Sequence, residues 1–364
     1  MVNDAIRICL GERVKGRLNL RNRIYREFRD KYGVTSRFPY SVAEVGWSIV
    51  KKHKRWHRRP LAKRLMFKMD ARSFALNYSI LSLPFKGERL LVPLRYGEYQ
   101  RSFLMDKTLK RGSVTMTESS IVIAFSKEIA AAEPSRKVGY DLNEKSVVGS
   151  DGTRHDLSEV ARLHTLYGVR RSKFYGGHPN DRRLKKKFAS SRREKERVSQ
   201  ALHRVSTLIV EKARANKEAI VLERLKGIRR AHMKGNGEGK ARRRRIALWP
   251  FRQLQSYIEY KARWAGVPLE YVSAAYTSKS CNVCACINRS LTLTERSWLC
   301  PQCGAMLDRD LNAAINIERR GKIRCLGEVH SGARDKDEAV KWDETTTPIL
   351  RAEAPKSSLQ ELAP

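Results

Sequence analysis

Two sets of residues in this chain have the type and spacing to do chemistry. Cys281-Asn-Val-Cys284 and Cys300-Pro-Gln-Cys303 are separated by the fifteen residues Ala285 to Leu299. Two Cys-x-x-Cys pairs at that separation suit one tetrahedral zinc ion. Each pair closes a tight knuckle, and the intervening residues are expected to form a hairpin that brings the knuckles together. Cys9, Cys286 and Cys325 are left over without partners at suggestive spacing, which favours a reducing interior and metal ligation over a disulfide framework. The second set is acidic: Asp141, Glu223 and Asp310. Asp141 and Glu223 close apolar runs and Asp310 opens a helix, so each is expected at the rim of a sheet. Carboxylates held close together repel, and divalent cations relieve them. Two Mg²⁺ ions about 4 Å apart can activate a water and stabilise the leaving oxygen in phosphodiester hydrolysis. Hard Mg²⁺ calls for oxygen ligands, which Asp and Glu supply and His or Cys do not. Singly, each acid has a bland role: Asp141 could cap a turn and Glu223 could pair with Arg224. Asp308 reads as a helix N-cap, leaving Asp310 in the first turn, where the helix dipole favours negative charge.

Those residues need elements to position them. Lys137-Val-Gly-Tyr-Asp-Leu142 reads as a strand ending near Asp141, and Ser146 to Thr153 continues it as a hairpin through an Asp-Gly turn. Ala219-Ile-Val-Leu222 is continuously apolar, the mark of a strand buried on both faces, and Glu223 sits at its end. Between them the spacing predicts a long basic helix over Arg182 to Ala215, with Val198, Leu202, Val205, Ile209 and Ala213 as one apolar stripe. A second helix follows at Trp249 to Arg263, with Phe251, Leu254, Ile258 and Ala262 inward, and then a strand over Val267 to Val272. Ahead of all this, Tyr40 to Val50 is helical in pattern. From Ser73 to Ser126 the runs are short and β-rich, and read as antiparallel strands forming a small barrel. Ala130 to Pro134 serves as a linker. The tail beyond Ser331 lacks periodicity and is expected to be largely without structure.

The chain of 364 residues carries 75 Lys and Arg against 38 Asp and Glu, a net charge of +37. So large an imbalance calls for a polyanion, and nucleic acid is the expected partner. A membrane surface is the rival, but the chain has no long apolar run and no amphipathic anchor. The candidate phosphate track comprises Arg182, Arg183, Lys185, Lys186, Lys187, Arg192 and Arg193 on the long helix. Arg242, Arg243, Arg244 and Arg245 extend it in a Gly-rich basic loop from Gly227 to Arg245.

The order of these motifs resembles the TnpB (OrfB) proteins of insertion-sequence transposons, relatives of the compact type V CRISPR effector nucleases. The resemblance rests on Gly139-Tyr-Asp141-Leu, Ile220-Val-Leu-Glu223-Arg-Leu, Tyr276-Thr-Ser278, the paired cysteines, and Asp308-Arg-Asp310-Leu-Asn312-Ala-Ala314-Ile-Asn316-Ile. It covers Lys137 to Gly321 and is most specific at its C-terminal end. It implies a multidomain α+β protein: an N-terminal β-barrel (wedge) with an inserted helical recognition module over residues 1–135, helices at about 20–70 and strands at about 73–126. An RNase H/RuvC-like α/β nuclease domain follows over 136–275 and 307–321, with a zinc-ribbon insertion at 276–306 and a tail at 322–364. It implies an RNA-guided, Mg²⁺- or Mn²⁺-dependent endodeoxyribonuclease, cytoplasmic and nucleoid-associated in a prokaryote. Asp141, Glu223 and Asp310 would hold the catalytic metal, and Cys281, Cys284, Cys300 and Cys303 would hold zinc. Guide RNA and double-stranded target DNA would be the partners, with no membrane. Two positions depart from the family pattern, Asn143 and Ala285, each standing where Gly is usual. Rival readings are a guided DNA binder that does not cut, an accessory transposase, and a zinc-ribbon nucleic-acid-binding protein. The first would be expected to lack acids, the second to carry a Tyr nucleophile with a His-x-His pair, and the third leaves three rim carboxylates unexplained.

Overall fold

The computed structural model describes residues 1–35, 37–53, 60–64, 66–85, 88–130, 132–177, 192–225, 247–292, 295–325 and 349–353. The chain divides into two compact units, Met1–Glu128 with Val340–Pro364, and Ile129–Ala339. It is a mixed α/β protein.

The first unit begins with three helices, α1 (Val2–Gly11), α2 (Arg17–Tyr32) and α3 (Arg37–Lys52). Leu20, Ile24 and Phe28 recur every fourth residue along α2, and this stripe packs with Ala5, Cys9, Val42 and Ala43 into a helical core. Strands β1 (Met66–Met69), β2 (Ala75–Asn77), β3 (Ile80–Phe85) and β4 (Glu88–Pro93) follow. Then come α4 (Glu98–Met105), β5 (Lys110–Thr117) and β6 (Ser120–Ser126). The expected helix over Tyr40 to Val50 is the centre of α3. Among the described residues α1 to α3 precede the first strand, and α4 lies between β4 and β5. The ladders do not close into one barrel among the described residues. They form two open antiparallel sheets, β2-β3-β4 and a second containing β1-β5-β6. Along β6, Ile121, Ile123 and Phe125 point inward and their neighbours outward, the two-residue alternation of a half-buried strand.

The second unit carries both candidate sites. Strands β7 (Arg136–Leu142), β8 (Ser146–Gly149) and β9 (Arg154–Asp156) form an antiparallel meander, with the Asp151-Gly152 turn where it is expected. Helices α5 (Ser158–Gly177) and α6 (Arg192–Ala215) lead to β10 (Glu218–Glu223), and α7 (Phe251–Ala265) leads to β11 (Leu269–Val272). The sheet order is β11-β10-β7-β8-β9, with β10 parallel to both β7 and β11. Val138, Tyr140 and Leu142 of β7 and Ile220 and Leu222 of β10 face one side. There they meet α5, the apolar stripe of α6 (Leu202, Ile209, Ala213) and that of α7 (Leu254, Ile258, Ala262). This is the core of the unit. The long helix begins at Arg192 in the described residues, and residues 182–191 of the expected helix lie outside them. So do the Gly227 to Arg245 loop and most of the tail.

Past β11 come a short hairpin, β12 (Ser297–Leu299) and β13 (Met306–Asp308), and helix α8 (Arg309–Arg320). The tail departs from expectation in one place. Ile349–Glu353 forms β14, which pairs antiparallel with the open side of β6 in the first unit. An exposed strand edge offers unpaired backbone groups, and any extended segment can satisfy them without the side-chain periodicity that reading a sequence relies on.

Candidate metal centres: a cysteine cluster and a carboxylate face

The four cysteines converge. Their sulfurs all lie within 4.8 Å of one another, with Cys281–Cys303 at 3.7 Å and Cys284–Cys300 at 3.5 Å. A tetrahedral zinc with Zn–S of about 2.3 Å needs sulfurs roughly 3.8 Å apart, so the cluster has the spacing of a zinc-ribbon site. The two knuckles are built alike. The Cys281 N–H donates to Cys286 O and the Cys300 N–H to Ala305 O. The Ala285 N–H reaches Cys281 O at 2.9 Å, and the Gly304 N–H reaches Cys300 O at 3.0 Å. Both closures need a left-handed residue: Gly304 has φ +70° and Ala285 has φ +62°. Alanine pays for its Cβ in that region where glycine does not. The expected hairpin is placed differently. Among the described residues, the second knuckle is itself the turn of the β12–β13 hairpin, and the first is closed by a Ser280–Ile287 bridge. Backbone N–H groups of Cys303 and Gln302 pull the Cys300 thiol down to about 6.

The acids gather on the opposite side of the sheet from the core. Residues alternate across a strand, so Val138, Tyr140 and Leu142 facing the helices send Gly139 and Asp141 the other way. The same alternation on β10 sends Val221 and Glu223 there. Leu222 pairs with Tyr140, so Glu223 and Asp141 are the next residues along adjacent parallel strands. Helix α8 lies on this face, with Ile317 packed against Val221 and Val272. It comes so close to β7 that a Cβ on Gly139 would stand 2.3 Å from Ala314 O and 2.4 Å from Glu318 N. Asp308 caps α8 by accepting from the Asp310 and Leu311 N–H groups at 3.0 and 2.9 Å, and this leaves Asp310 in the first turn. Arg154 on β9 binds the other oxygen of Asp308 at 2.9 Å and ties the cap to the sheet edge.

Each carboxylate has its own donor. Asn143 Nδ2 donates to Asp141 at 2.7 Å, the Thr277 hydroxyl donates to Glu223, and Arg296 reaches both oxygens of Asp310 at 3.2 and 3.3 Å. Sequence reasoning missed all three donors as partners. Asn143 was legible only as a departure from a family pattern, while Thr277 and Arg296 are far from their acids along the chain. Burial, then the charge of Glu223, and more weakly that of Asp310, hold the Asp141 carboxyl well above the usual carboxylate range, against the pull of Asn143. Burial likewise raises Glu223, opposed by Thr277 and by the charge of Arg320. Asp141, Glu223 and Asp310 thus share one electrostatic environment. They are more widely spread than the cysteines, which are the ligand set within 4.8 Å among the described residues.

The basic candidates fare unevenly. Arg193 is exposed on α6; Arg192 lies in the same turn; Arg182, Arg183, Lys185, Lys186, Lys187 and Arg242 to Arg245 lie outside the described residues. No helix among the described residues is long and apolar enough to cross a membrane.

A family model, the Cas12f1-like TNB domain, matches residues 251–317, which span α7, the cysteine cluster and most of α8. A TnpB-like protein of Methanocaldococcus jannaschii is 31% identical over 249 residues, covering 64% of this chain and 87% of that protein. The CRISPR-associated endodeoxyribonuclease Cas12f1 of an uncultured archaeon is 25% identical over 246 residues, covering 61% of this chain and 45% of that one. Among solved structures, the cryo-EM structure of a Cas12f1–sgRNA–target DNA complex shares the fold. Its TM-score is 0.57 at 13% identity, over 87% of this chain and 80% of that one.

Proposed function

The chain belongs to the TnpB family, related to the type V effectors, and from that premise we propose that it is an RNA-guided DNA endonuclease whose reaction is carried by Asp141, Glu223 and Asp310. The observation that supports this most is the shared face. Two adjacent parallel strands and the first turn of the helix lying on them put three carboxylates into one electrostatic environment. The sheet order, three antiparallel strands followed by two parallel ones, also supports an RNase H/RuvC-type reading of the second unit. On this reading residues 136–275 and 307–321 are the nuclease domain and 276–306 its ribbon insertion. The wedge and recognition parts, within residues 1–135, grip guide RNA and the short target-adjacent DNA motif.

The donor set fits a divalent cation. All the candidate ligands are oxygens, and Asp141 is raised first by burial and then by the charge of Glu223, a repulsion that Mg²⁺ or Mn²⁺ would relieve. Bound there, such ions supply an activated water and charge stabilisation at the leaving oxygen. The protein's part is placement. Asp141 and Glu223 come from rigid strand ends, and Asp310 comes from a capped helix start. Thr277, Asn143 and Arg296 restrain the carboxylates, and burial keeps competing water away. Cys281, Cys284, Cys300 and Cys303 would hold zinc with a structural role, since all four positions are filled by protein thiolates. The net charge of +37 supplies the field that a guide RNA and target DNA neutralise. Base pairing then selects the sequence, with the protein reading backbone and shape.

The test uses the full chain purified with its co-expressed RNA and a matching double-stranded target. Parent protein is expected to cut in Mg²⁺. Asp141→Ala is expected to bind the target as the parent does and leave it intact. Cutting by Asp141→Ala at the parent rate would overturn the assignment.

A further inference from the structure

The segment joining β11 to the first cysteine knuckle is tied down along its whole length by one face of α8. Asn312, Asn316 and Arg320 recur every fourth residue and so stand in a row on the helix. Arg320 donates to Ser273 O and Ala275 O at 2.9 and 2.7 Å. Asn316 Nδ2 donates to Thr277 O at 2.9 Å and Ser280 O at 2.7 Å. Asn312 Nδ2 donates to Ser280 O at 2.8 Å, and its Oδ1 accepts the Asn282 N–H at 2.8 Å. Asn312 and Asn316 are themselves buried, at 1% and 8% exposure. Buried amides are retained in a helix only where their hydrogen bonds are satisfied, and here the backbone of the loop satisfies them. The loop pays locally for this path: Tyr276 is held at φ +60°, outside the range a bulky residue prefers.

Within this clamped loop the Thr277 side chain reaches the acidic face. Thr277 is 3% exposed, and its hydroxyl donates to Glu223 Oε1. Glu223 Oε2 takes no hydrogen bond among the described residues. The strand end behind it is fixed by Gln255, whose Nε2 donates to Glu223 O at 2.6 Å. We infer that Thr277 is a positioning residue: held by α8 through Asn316, it orients the Glu223 carboxylate so that one oxygen is engaged and the other is presented to a divalent cation. The inference rests on the nuclease reading above and deepens it. It also accounts for Asn312 and Asn316, which that reading leaves without a role. These hydrogen bonds tie the helix carrying Asp310 to the loop that restrains Glu223. Partners that orient a ligating carboxylate typically change metal affinity by about 10- to 100-fold when lost.

The test is Thr277→Val, which keeps the side-chain shape and removes the hydroxyl, with Thr277→Ser as the conservative rescue. Mn²⁺ binding to the full zinc-loaded chain without RNA is read from the free-Mn²⁺ electron paramagnetic resonance signal, with Asp141→Ala defining the site-specific part. Thr277→Val is expected to weaken that binding about tenfold or more. It should raise the Mg²⁺ concentration for half-maximal cutting in step, leaving target binding and the unfolding midpoint near the parent's; Thr277→Ser should restore both metal readouts. Parent-like Mn²⁺ binding by Thr277→Val, or a loss that Thr277→Ser does not restore, overturns the role of Thr277 alone. If the parent binds no Mn²⁺ that Asp141→Ala removes, the nuclease reading falls and this inference with it.

Discussion

The contact that most constrains the acidic face is the one at Gly139, and Gly139→Ala tests it. A Cβ there would lie 2.3 Å from Ala314 O, 2.4 Å from Glu318 N and 3.0 Å from Glu318 Cα. All three are backbone atoms of α8, so no side chain can swing aside. Ordinary contact begins at 3.4 Å, and α8 must therefore retreat from β7 by roughly 1 Å. A gap of that size forfeits about a quarter to a half of each dispersion contact beneath the helix, where Val221, Ile317 and Ala314 are fully buried. Overpacking of a core costs about 1–3 kcal/mol, and a clash with backbone belongs at the upper end. For a domain of about 200 residues that lowers the unfolding midpoint by roughly 6–12 °C at 2–4 °C per kcal/mol. The same shift carries Asp310 away from Asp141, and a misplacement of about 1 Å can cost on the order of 100-fold in rate. The assay is calorimetric unfolding of parent and variant, with cutting measured well below both midpoints. Gly152→Ala is the control. Gly152 has φ +84° but open space around its Cβ, so it should lose about 1 kcal/mol of turn stability and no cutting. Gly139→Ala that unfolds within about 0.5 kcal/mol of the parent, or cuts at the parent rate, would refute the close approach of α8 as the device that places Asp310.

Two further predictions follow from the two centres. Ala285→Gly removes the Cβ from a left-handed residue and should stabilise the zinc-loaded knuckle by about 1 kcal/mol. That is a roughly fivefold slower loss to a chelator in competition, and an unchanged or faster loss counts against the strain. Asp141→Asn should raise stability at neutral pH when no divalent cation is added. The folded carboxyl of Asp141 titrates above its unfolded value, so ionisation opposes folding: parent stability falls as pH rises from the unfolded value through the folded one. Each unit of that shift is worth about 1.4 kcal/mol. The variant's advantage should therefore vanish below about pH 4 and shrink when Mg²⁺ is added, and equal unfolding of the two proteins at pH 7 would contradict it.

Much of the local structure was legible because it depends on neighbours within one or two turns. The stripes of α6 and α7, the apolar run of β10, the Asp151-Gly152 turn and the cap at Asp308 are set by residues three or four apart, or by a single side chain closing onto its own backbone. Ala285 stood out only as a departure from the family's Gly, and its left-handed φ of +62° came from the structure. Helix α5 was passed over. Its inward residues Val160, Leu163 and Tyr167 are interspersed with the exposed apolar Leu166 and Val169, which blurs the stripe, and packing against the sheet, more than intrinsic pattern, makes it a helix. Closure into a barrel was not legible for a related reason: alternation marks each strand but says nothing of which strand it pairs with, and among the described residues the ladders form two sheets.

What the sequence by itself determined is the inventory: four thiolates in two knuckles, three acids at the ends of buried or capped elements, and the amphipathic helices beside them. Those follow from residue type, period and spacing, which act over a few residues. Only the tertiary structure decided that Asp141 and Glu223 share a face with α8, because that depends on β10 pairing with β7 in one register and on Gly139 having no side chain. It alone also decided which donors hold the acids. Thr277 is 54 residues from Glu223 and Arg296 is 14 from Asp310, separations that a hydrogen bond spans only after the chain has folded.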